Sequence, residues 1–294
     1  MQALQLLANG VAQGCIYSLV ALGFVMIYKA TETVNFAQGE LMMLGAVVGW
    51  VATVALGLPY WVGVVVAVVV TGAIGFGIEF LTIRPLLGQP AFSIVMVSIA
   101  ISLIARGLVM LLPGVGTETH ALHTPFHEQV WRLGGPGGLV MDVDRLVVIG
   151  VTLLLCLGLY LLFRKTRVGI AMQAVSQNQI AAYYVGIPVE RLNGLVWGLS
   201  GAVAAAAGML LAPSTFVHVN MGFIGLKALP AAVLGGFGSL PVAVVGGLLI
   251  GLVEAFAGFY LPEGVKDVAP YVLVLVVLMV MPDGLFGKTQ KKTV

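Results

Sequence analysis

Apolar runs long enough to cross a bilayer recur eight or nine times along this chain, and little between them could build a core in water. The runs cover about 5–27, 41–57, 60–82, 93–112, 145–163, 193–212, 226–240, 241–259 and 268–281. A helical crossing needs about 20 mostly apolar residues. Backbone groups in lipid must find their partners within the chain, so runs of this length imply helices rather than a barrel. Asp, Glu, Lys and Arg make up only 9% of the 294 residues, against roughly a quarter in an ordinary soluble domain. The expected fold is an all-α polytopic membrane protein, one transmembrane domain over 1–294 with about 8–9 transmembrane or re-entrant helices. Gly45/Gly49, Gly194/Gly198 and Gly247/Gly251 have the GxxxG spacing of close helix crossings, though a chain with 39 Gly yields such spacings by chance as well.

The few charges are unevenly placed. With nine crossings, Lys29, Arg84, Arg164, Lys165, Arg167, Arg191, Lys288, Lys291 and Lys292 fall on one side, and Arg132, Arg145, Lys227 and Lys266 on the other. The excess of cations places the 164–192 loop and the C-terminus in the cytoplasm, and the N-terminus outside. One re-entrant block would flip the N-terminal assignment and leave the C-terminal one. A net charge of +2 says little about partners, and no nucleic-acid partner is expected; membrane lipid surrounds the spans. The N-terminus lacks a basic leader, so 5–27 reads as a retained span. Cys15 and Cys156 lie in apolar blocks and read as small buried hydrophobes.

The 164–192 loop holds a helix-like run from Gly169 to Val185, with Gly186 suited to its C-cap and Pro188 stopping continuation. Its basic residues lie at its ends, where retention in the cytoplasm accounts for them. Its uncharged middle is the expected docking surface. The 113–144 loop is the largest external one. His120, His123 and His127 there invite a metal site, but Gly114, Gly116, Pro125 and the glycines of 134–138 favour an irregular solvated loop. Gly287-Lys288-Thr289 looks like the end of a phosphate-binding loop, but Pro282 and Asp283 precede it where that loop has its Gly-rich turn. No cofactor is expected, and the chain is not expected to bind ATP itself.

Glu79, Arg106 and Glu254 fall inside apolar blocks. A charge at the bilayer centre costs roughly 2.5–3.5 kcal/mol on insertion scales, so each calls for a role. Glu254 is the candidate for a cavity wall, whereas Glu79 has Arg84 nearby and could reach the interface. Two polar, Gly-containing breaks stand out: Asn35-Phe36-Ala37-Gln38-Gly39-Glu40 and Gly235-Gly236-Phe237-Gly238-Ser239. Both lead into similar text, at 41–49 and 240–246, as a weak internal repeat would. Broken helices in matching halves point to a transport route; two ordinary turns are the alternative.

The text Phe36 to Leu41, the run Leu234 to Leu240 and the ending Pro282-Asp-Gly-Leu-Phe-Gly287 together resemble the permeases of branched-chain amino acid ABC importers. The loop at Gly169, Ala171, Ala174, Asn178, Ala181, Ala182, Gly186 and Ile187 resembles that family's coupling loop. The chain is most similar to the shorter of the two permease types that pair in such importers. Ile170 and Gln173 stand where the family often has Arg, Gln38 where His is common, and Met281 where Arg is frequent. The resemblance implies a multi-pass protein of the bacterial inner membrane, a heterodimer with a second permease subunit, two cytoplasmic ATP-binding subunits and an external solute-binding protein. It implies no enzyme activity in this chain, and ATPase coupling through the 164–192 loop. Expected cargoes are branched-chain or other hydrophobic amino acids, with urea, short amides or small organic acids as the alternative. Expected pathway residues are Asn35, Gln38, Gly39, Glu40, Gly235, Gly236, Gly238, Ser239 and Glu254. A self-contained secondary transporter or channel is the reading from another class, and the shortage of membrane acids and His for ion coupling weighs against it.

Overall fold

The computed structural model describes residues 2–116, 118–127, 129–133, 139–262, 264–281 and 284–285. The proline and aspartate of the last motif, the C-terminal cations, the phosphate-loop lookalike, Glu128 and the glycines of 134–138 lie outside the described residues.

The helices are α1 (Gln2–Thr31), α2 (Gln38–Trp50), α3 (Tyr60–Ile78), α4 (Ala91–Met110), α5 (Val143–Lys165), α6 (Arg167–Gln177), α7 (Gln179–Tyr184), α8 (Val189–Thr215), α9 (Met221–Leu226), α10 (Ala228–Gly235), α11 (Leu240–Tyr260) and α12 (Val265–Val280). A π-helical turn, Val51–Ala55, extends α2, and π and 3₁₀ turns carry α3 on to Leu86. Prolines stand at helix entrances, Pro59 before α3, Pro90 before α4 and Pro188 before α8. Their missing N–H costs nothing there, since the first turn has no partner for it. Among the described residues, seven helices are long and apolar enough to cross a membrane: α1, extended α2, extended α3, α4, α5, α8 and α11. The seventh apolar block is different. It straddles α9 and α10, which together run only from Met221 to Gly235 and break at Lys227. The ninth block becomes α12, of 16 residues.

Helix α1 is the axis of the bundle. Every residue from Gly14 to Ile27 is buried, by α11, α8, α5, α10 and α2 in turn. A helix that is apolar all round has no side to give to water. By contrast α3, α4 and α5 present Val65, Val69, Leu103, Ile104, Leu153 and Leu154 outward, as surfaces for lipid or another subunit. All three GxxxG pairs sit at crossings. A Cβ on Gly251 would lie 2.2 Å from the Gly14 nitrogen of α1, and one on Gly45 would lie 2.3 Å from the Ala205 Cα of α8. Gly198 faces Gly72 of α3. In lipid, where burial from water cannot drive helices together, such close backbone approach supplies the packing. Gly251→Ala is therefore expected to lower stability by about 3 kcal/mol, the upper end of ordinary overpacking, read as a fall in the thermal midpoint of the detergent-solubilised protein.

The chain's two halves share a device. Among the described residues, only Glu32 (φ 54°) and Phe216 (φ 62°) are non-glycines with left-handed backbone. Glu32 directly follows α1 and Phe216 directly follows α8. After each, an extended stretch turns back into the bundle through matching text, Val34-Asn35-Phe36 and Val219-Asn220-Met221, and a helix starts inside. Gln38, which opens α2, packs on Gly23, eight residues or roughly 12 Å short of the end of α1. Gly222 of α9 meets Glu40, and that stretch of α2 lies beside Ser200 to Gly208 of α8, well short of the end of α8 at Thr215. This correspondence, at the entries to α2 and α9, differs from the one suggested by 41–49 and 240–246, which fall in α2 and at the start of α11.

One end of the bundle carries α6 and α7. Lys29 and Arg164 line a cavity with α6 there, and Arg84 reaches Glu190 at the start of α8. The other end carries the 113–144 segment. Strands β1 (Val130–Leu133) and β2 (Leu139–Asp142) form an antiparallel hairpin, with Trp131 opposite Met141. The first turns of α1 hold it: Gln5 donates to the Val140 carbonyl at 2.9 Å and Arg145 bonds Asn9. The loop expected to be irregular is thus partly ordered. His120 bridges in the antiparallel sense to Val217 and stacks on Trp50 at 4.2 Å, while His123 and His127 meet edge to face at 4.8 Å.

Candidate functional site

The two helices that begin inside the bundle, α2 and α9, meet deep within it, and a charge pair stands at the junction. Glu40 lies in the first turn of α2 and is buried. A carboxylate is favoured there by the unpaired N–H groups and the positive end of the helix dipole. Arg106 reaches across from α4 to pair with Glu40 Oε1, and its guanidinium lies on the Phe223 ring of α9, with Cζ 4.1 Å from the centroid. The second carboxylate oxygen of Glu40 and Nε of Arg106 are buried without a protein partner among the described residues. Gly222 makes the room, since a Cβ there would lie 2.4 Å from the Glu40 carboxylate. Gly39 packs as tightly, its Cβ position 2.2 Å from the Gly222 carbonyl oxygen.

The neighbours of Glu40 hold this junction in place. Asn35 is buried and its Oδ1 accepts from the Ala37 N–H at 3.0 Å, closing the turn into α2; its Nδ2 has no partner among the described residues. Gln38 is fully enclosed. The Ser200 hydroxyl of α8 lies 2.9 Å from Gln38 Oε1 and 3.1 Å from the Gly23 carbonyl, so one side chain ties α2 to α1 and α8. The Ser98 hydroxyl of α4 accepts from Phe36 N–H at 3.2 Å. That contact and the Arg106 pair are polar ties between α4 and the junction.

A second cluster lies on the opposite flank of α9 and α10. Lys227, at the break between them, places Nζ 3.2 Å from Glu254 Oε1 of α11 and 2.5 Å from Asp267 Oδ1 of α12. Tyr17 of α1 donates to the other Glu254 oxygen. Sequence position grouped Lys227 with the outer-face cations. In the fold it is a largely buried partner of an intramembrane acid, which only the return of the chain into the bundle explains. Glu79, by contrast, is enclosed at the α6–α7 end and held by Arg84 at 3.0 Å.

The second motif does not join the first. Gly235 and Gly236 end α10, with Gly236 at φ 80°, and a Cβ on Gly235 would lie 2.6 Å from the Val242 carbonyl of α11. Gly238 and Ser239 line a cavity of about 1370 Å³ at the α6–α7 end, bounded by α1, α5, α6, α8 and the start of α11. The partner of the first motif is Gly222 to Gly225, which sequence reading passed over. The signal available was the recurrence of Val-Asn after each long helix.

The single helix expected over Gly169–Val185 is two. α6 ends at Gln177, Asn178 takes an extended conformation, and its Oδ1 accepts from Ala181 N–H at 2.9 Å to cap α7. Asn offers its side chain to the backbone and so starts a new helix in place of continuing the old one. Gly186 does take the left-handed conformation, at φ 83°. Of the residues expected to face the ATPase, Asn178, Ala181 and Gly186 are exposed, Ala171 and Ala174 are half-buried, and Gly169 and Ala182 are buried. Gly169 is packed on α5, where a Cβ would lie 2.1 Å from the Leu162 carbonyl. The outward surface is instead made by Ile180, Tyr183, Tyr184 and Val185, each more than 70% exposed.

Known proteins share this plan. The family described as "Branched-chain amino acid transport system / permease component" matches residues 6–281. The chain is 34% identical to the high-affinity branched-chain amino acid transport system permease protein LivH of Escherichia coli (strain K12), over 99% of this chain and 97% of that one. It is 31% identical to the corresponding permease protein BraD of Pseudomonas aeruginosa, over 99% and 98%. Among solved structures it is similar in fold to PsaBC from Streptococcus pneumoniae in complex with Fab, with a TM-score of 0.52, 15% identity, and 95% and 92% of the two chains covered. Seven membrane-length helices among the described residues, buried charges where α2 and α9 begin inside the bundle, and a family match over nearly the whole length agree: this chain is a multi-pass membrane protein of the branched-chain amino acid transport permease family.

Proposed function

We propose that the chain is the permease subunit of an ATP-driven ABC importer that carries branched-chain or other hydrophobic amino acids across the bacterial inner membrane. The observation that carries this reading within the molecule is the meeting of α2 and α9 around Glu40 and Arg106. Helix ends and charges at membrane depth are supportable only where they face protein or a polar route. Asn35, Gln38, Gly39 and Glu40 form one wall of that route. Glu254, with Lys227, belongs to its other flank, toward α12. Gly235 and Gly236 act through the turn that sets α10 against α11, and Gly238 and Ser239 face the α6–α7 end.

A second permease subunit completes the route as a heterodimer. The importer has two cytoplasmic ATP-binding subunits, one of which seats on the 164–192 loop, an external solute-binding protein delivers cargo at the 113–144 loop, and the C-terminus is cytoplasmic. The ATPases supply the hydrolysis; this chain supplies two discrete packings of a bundle that their closure can switch. The test is reconstitution of all the subunits in liposomes, with uptake measured for leucine, isoleucine, valine, urea and short amides. ATP-dependent leucine uptake is expected. Uptake by the isolated chain driven by an ion gradient would overturn the importer reading, and uptake confined to urea or amides would reassign its cargo.

A further inference from the structure

The cavity at the α6–α7 end is a cleft open to the side of the bundle between α5 and α11, with α1 as its back wall. We propose that it binds one anionic phospholipid, the headgroup held by Lys29 and Arg164 and an acyl chain laid along α5.

Four observations lead there. The first is charge. Lys29 and Arg164 both line the cleft, and neither has an ion-pair partner among the described residues. Arg164 is held over Tyr160, with Cζ 5.5 Å from the ring centroid. Glu32 is the acid that lines the same space, so two cations face one carboxylate. The second is an unanswered amide. Asn193 of α8 lines the cleft and is buried, and among the described residues neither its Oδ1 nor its Nδ2 has a protein partner. A headgroup hydroxyl would donate to Oδ1 and a phosphate oxygen would accept from Nδ2.

The third is the gradation of the walls. Past this polar end the lining turns apolar, with Leu22 and Met26 of α1, Leu153 and Leu157 of α5 and Val244 of α11. Leu153 and Leu157 are 63% and 59% exposed, so the wall opens sideways rather than into the bundle. From Leu153 to Arg164 is eleven residues, about 16 Å of helix, or one leaflet of a hydrocarbon core about 30 Å thick. A headgroup at the cations and a chain along α5 match that length. The fourth is separation from the Glu40–Arg106 junction. The cleft stops against α1, which is buried from Gly14 to Ile27, and none of Glu40, Arg106 and Phe223 lines it. Basic pockets between membrane helices suit anionic headgroups because the attraction acts at the bilayer surface, where the counter-charge is lipid phosphate.

Native mass spectrometry of the purified chain, with phosphatidylglycerol or phosphatidylcholine added in detergent, tests this. About one phosphatidylglycerol per chain is expected to survive, and phosphatidylcholine is not. K29Q/R164Q is expected to cut retention at least tenfold. L157W, which fills the apolar wall and keeps both cations, is expected to cut it several-fold. Cys156 lines the cleft and Cys15 is buried in α1, so the rate of maleimide labelling at Cys156 is an independent reading. Phosphatidylglycerol is expected to slow it several-fold in the parent chain and not in K29Q/R164Q. Equal retention of the two lipids, or retention unchanged in both variants, would overturn the proposal. Equal protection by inorganic phosphate would make the cleft an anion site, and protection by leucine would make it a cargo vestibule; either result also overturns it. No arm reads uptake, so failure here leaves the importer reading standing.

Discussion

Arg106→Leu is expected to cost about 3–5 kcal/mol of stability, the range for removing one member of a buried ion pair. The cost comes from Glu40, whose carboxyl would stay buried beside Gly222 with no cation to answer it. Thermal unfolding in detergent and the yield of inserted protein both read it. The double variant E40Q/R106L leaves no charge behind and is expected to recover most of the loss, since neutral replacements of buried pairs are often tolerated. Uptake separates structure from transport. If the pair serves only packing, the double variant transports as well as the parent. If the junction of α2, α4 and α9 is part of the route, uptake stays at least tenfold down although the protein is stable.

The second large effect is expected on the loop. Tyr183→Asp with Tyr184→Asp should abolish ATPase association and reduce ATP-driven uptake at least tenfold, with membrane insertion unchanged. Both rings are more than 70% exposed and bear no load in the bundle, so the fold should not register the change. Large aromatic side chains carry much of the energy at protein interfaces, and two new carboxylates would have to be desolvated on docking. Co-purification with the ATP-binding subunits and the uptake rate are the two readings. Normal uptake would show that the ATPases seat elsewhere. Ala182→Arg is a poorer probe, because Ala182 is buried and an arginine there would disturb the loop itself.

Much of the fold was legible in text. Apolar runs of crossing length need no partner to be recognised, because a helix in lipid satisfies its own backbone. Eight or nine such runs are legible, and among the described residues seven helices reach crossing length, while the seventh run is broken at Lys227 and the ninth forms the 16-residue α12. The three GxxxG pairs were legible for a similar reason, as glycine spacing expresses how close two backbones may come. The capping glycine at 186 was legible because its conformation is local. The break at Asn178 was not, because a helix-forming run on both sides outweighed one residue's preference for its own backbone.

The site divides in the same way. The sequence by itself determined that the chain is a helical membrane bundle, that a polar break at 35–40 carrying Glu40 interrupts it, and that Glu79, Arg106 and Glu254 are charges in apolar runs. Only the tertiary structure decided who answers them. Arg106 stands 66 positions from Glu40 and Lys227 stands 27 from Glu254, and no periodicity links residues brought together by chain reversals. The reversals at Glu32 and Phe216 carry no glycine to announce them. Their strained backbone is held by the packing of α2 and α9 into the bundle, and packing is a property of the assembled helices, not of any one stretch of sequence.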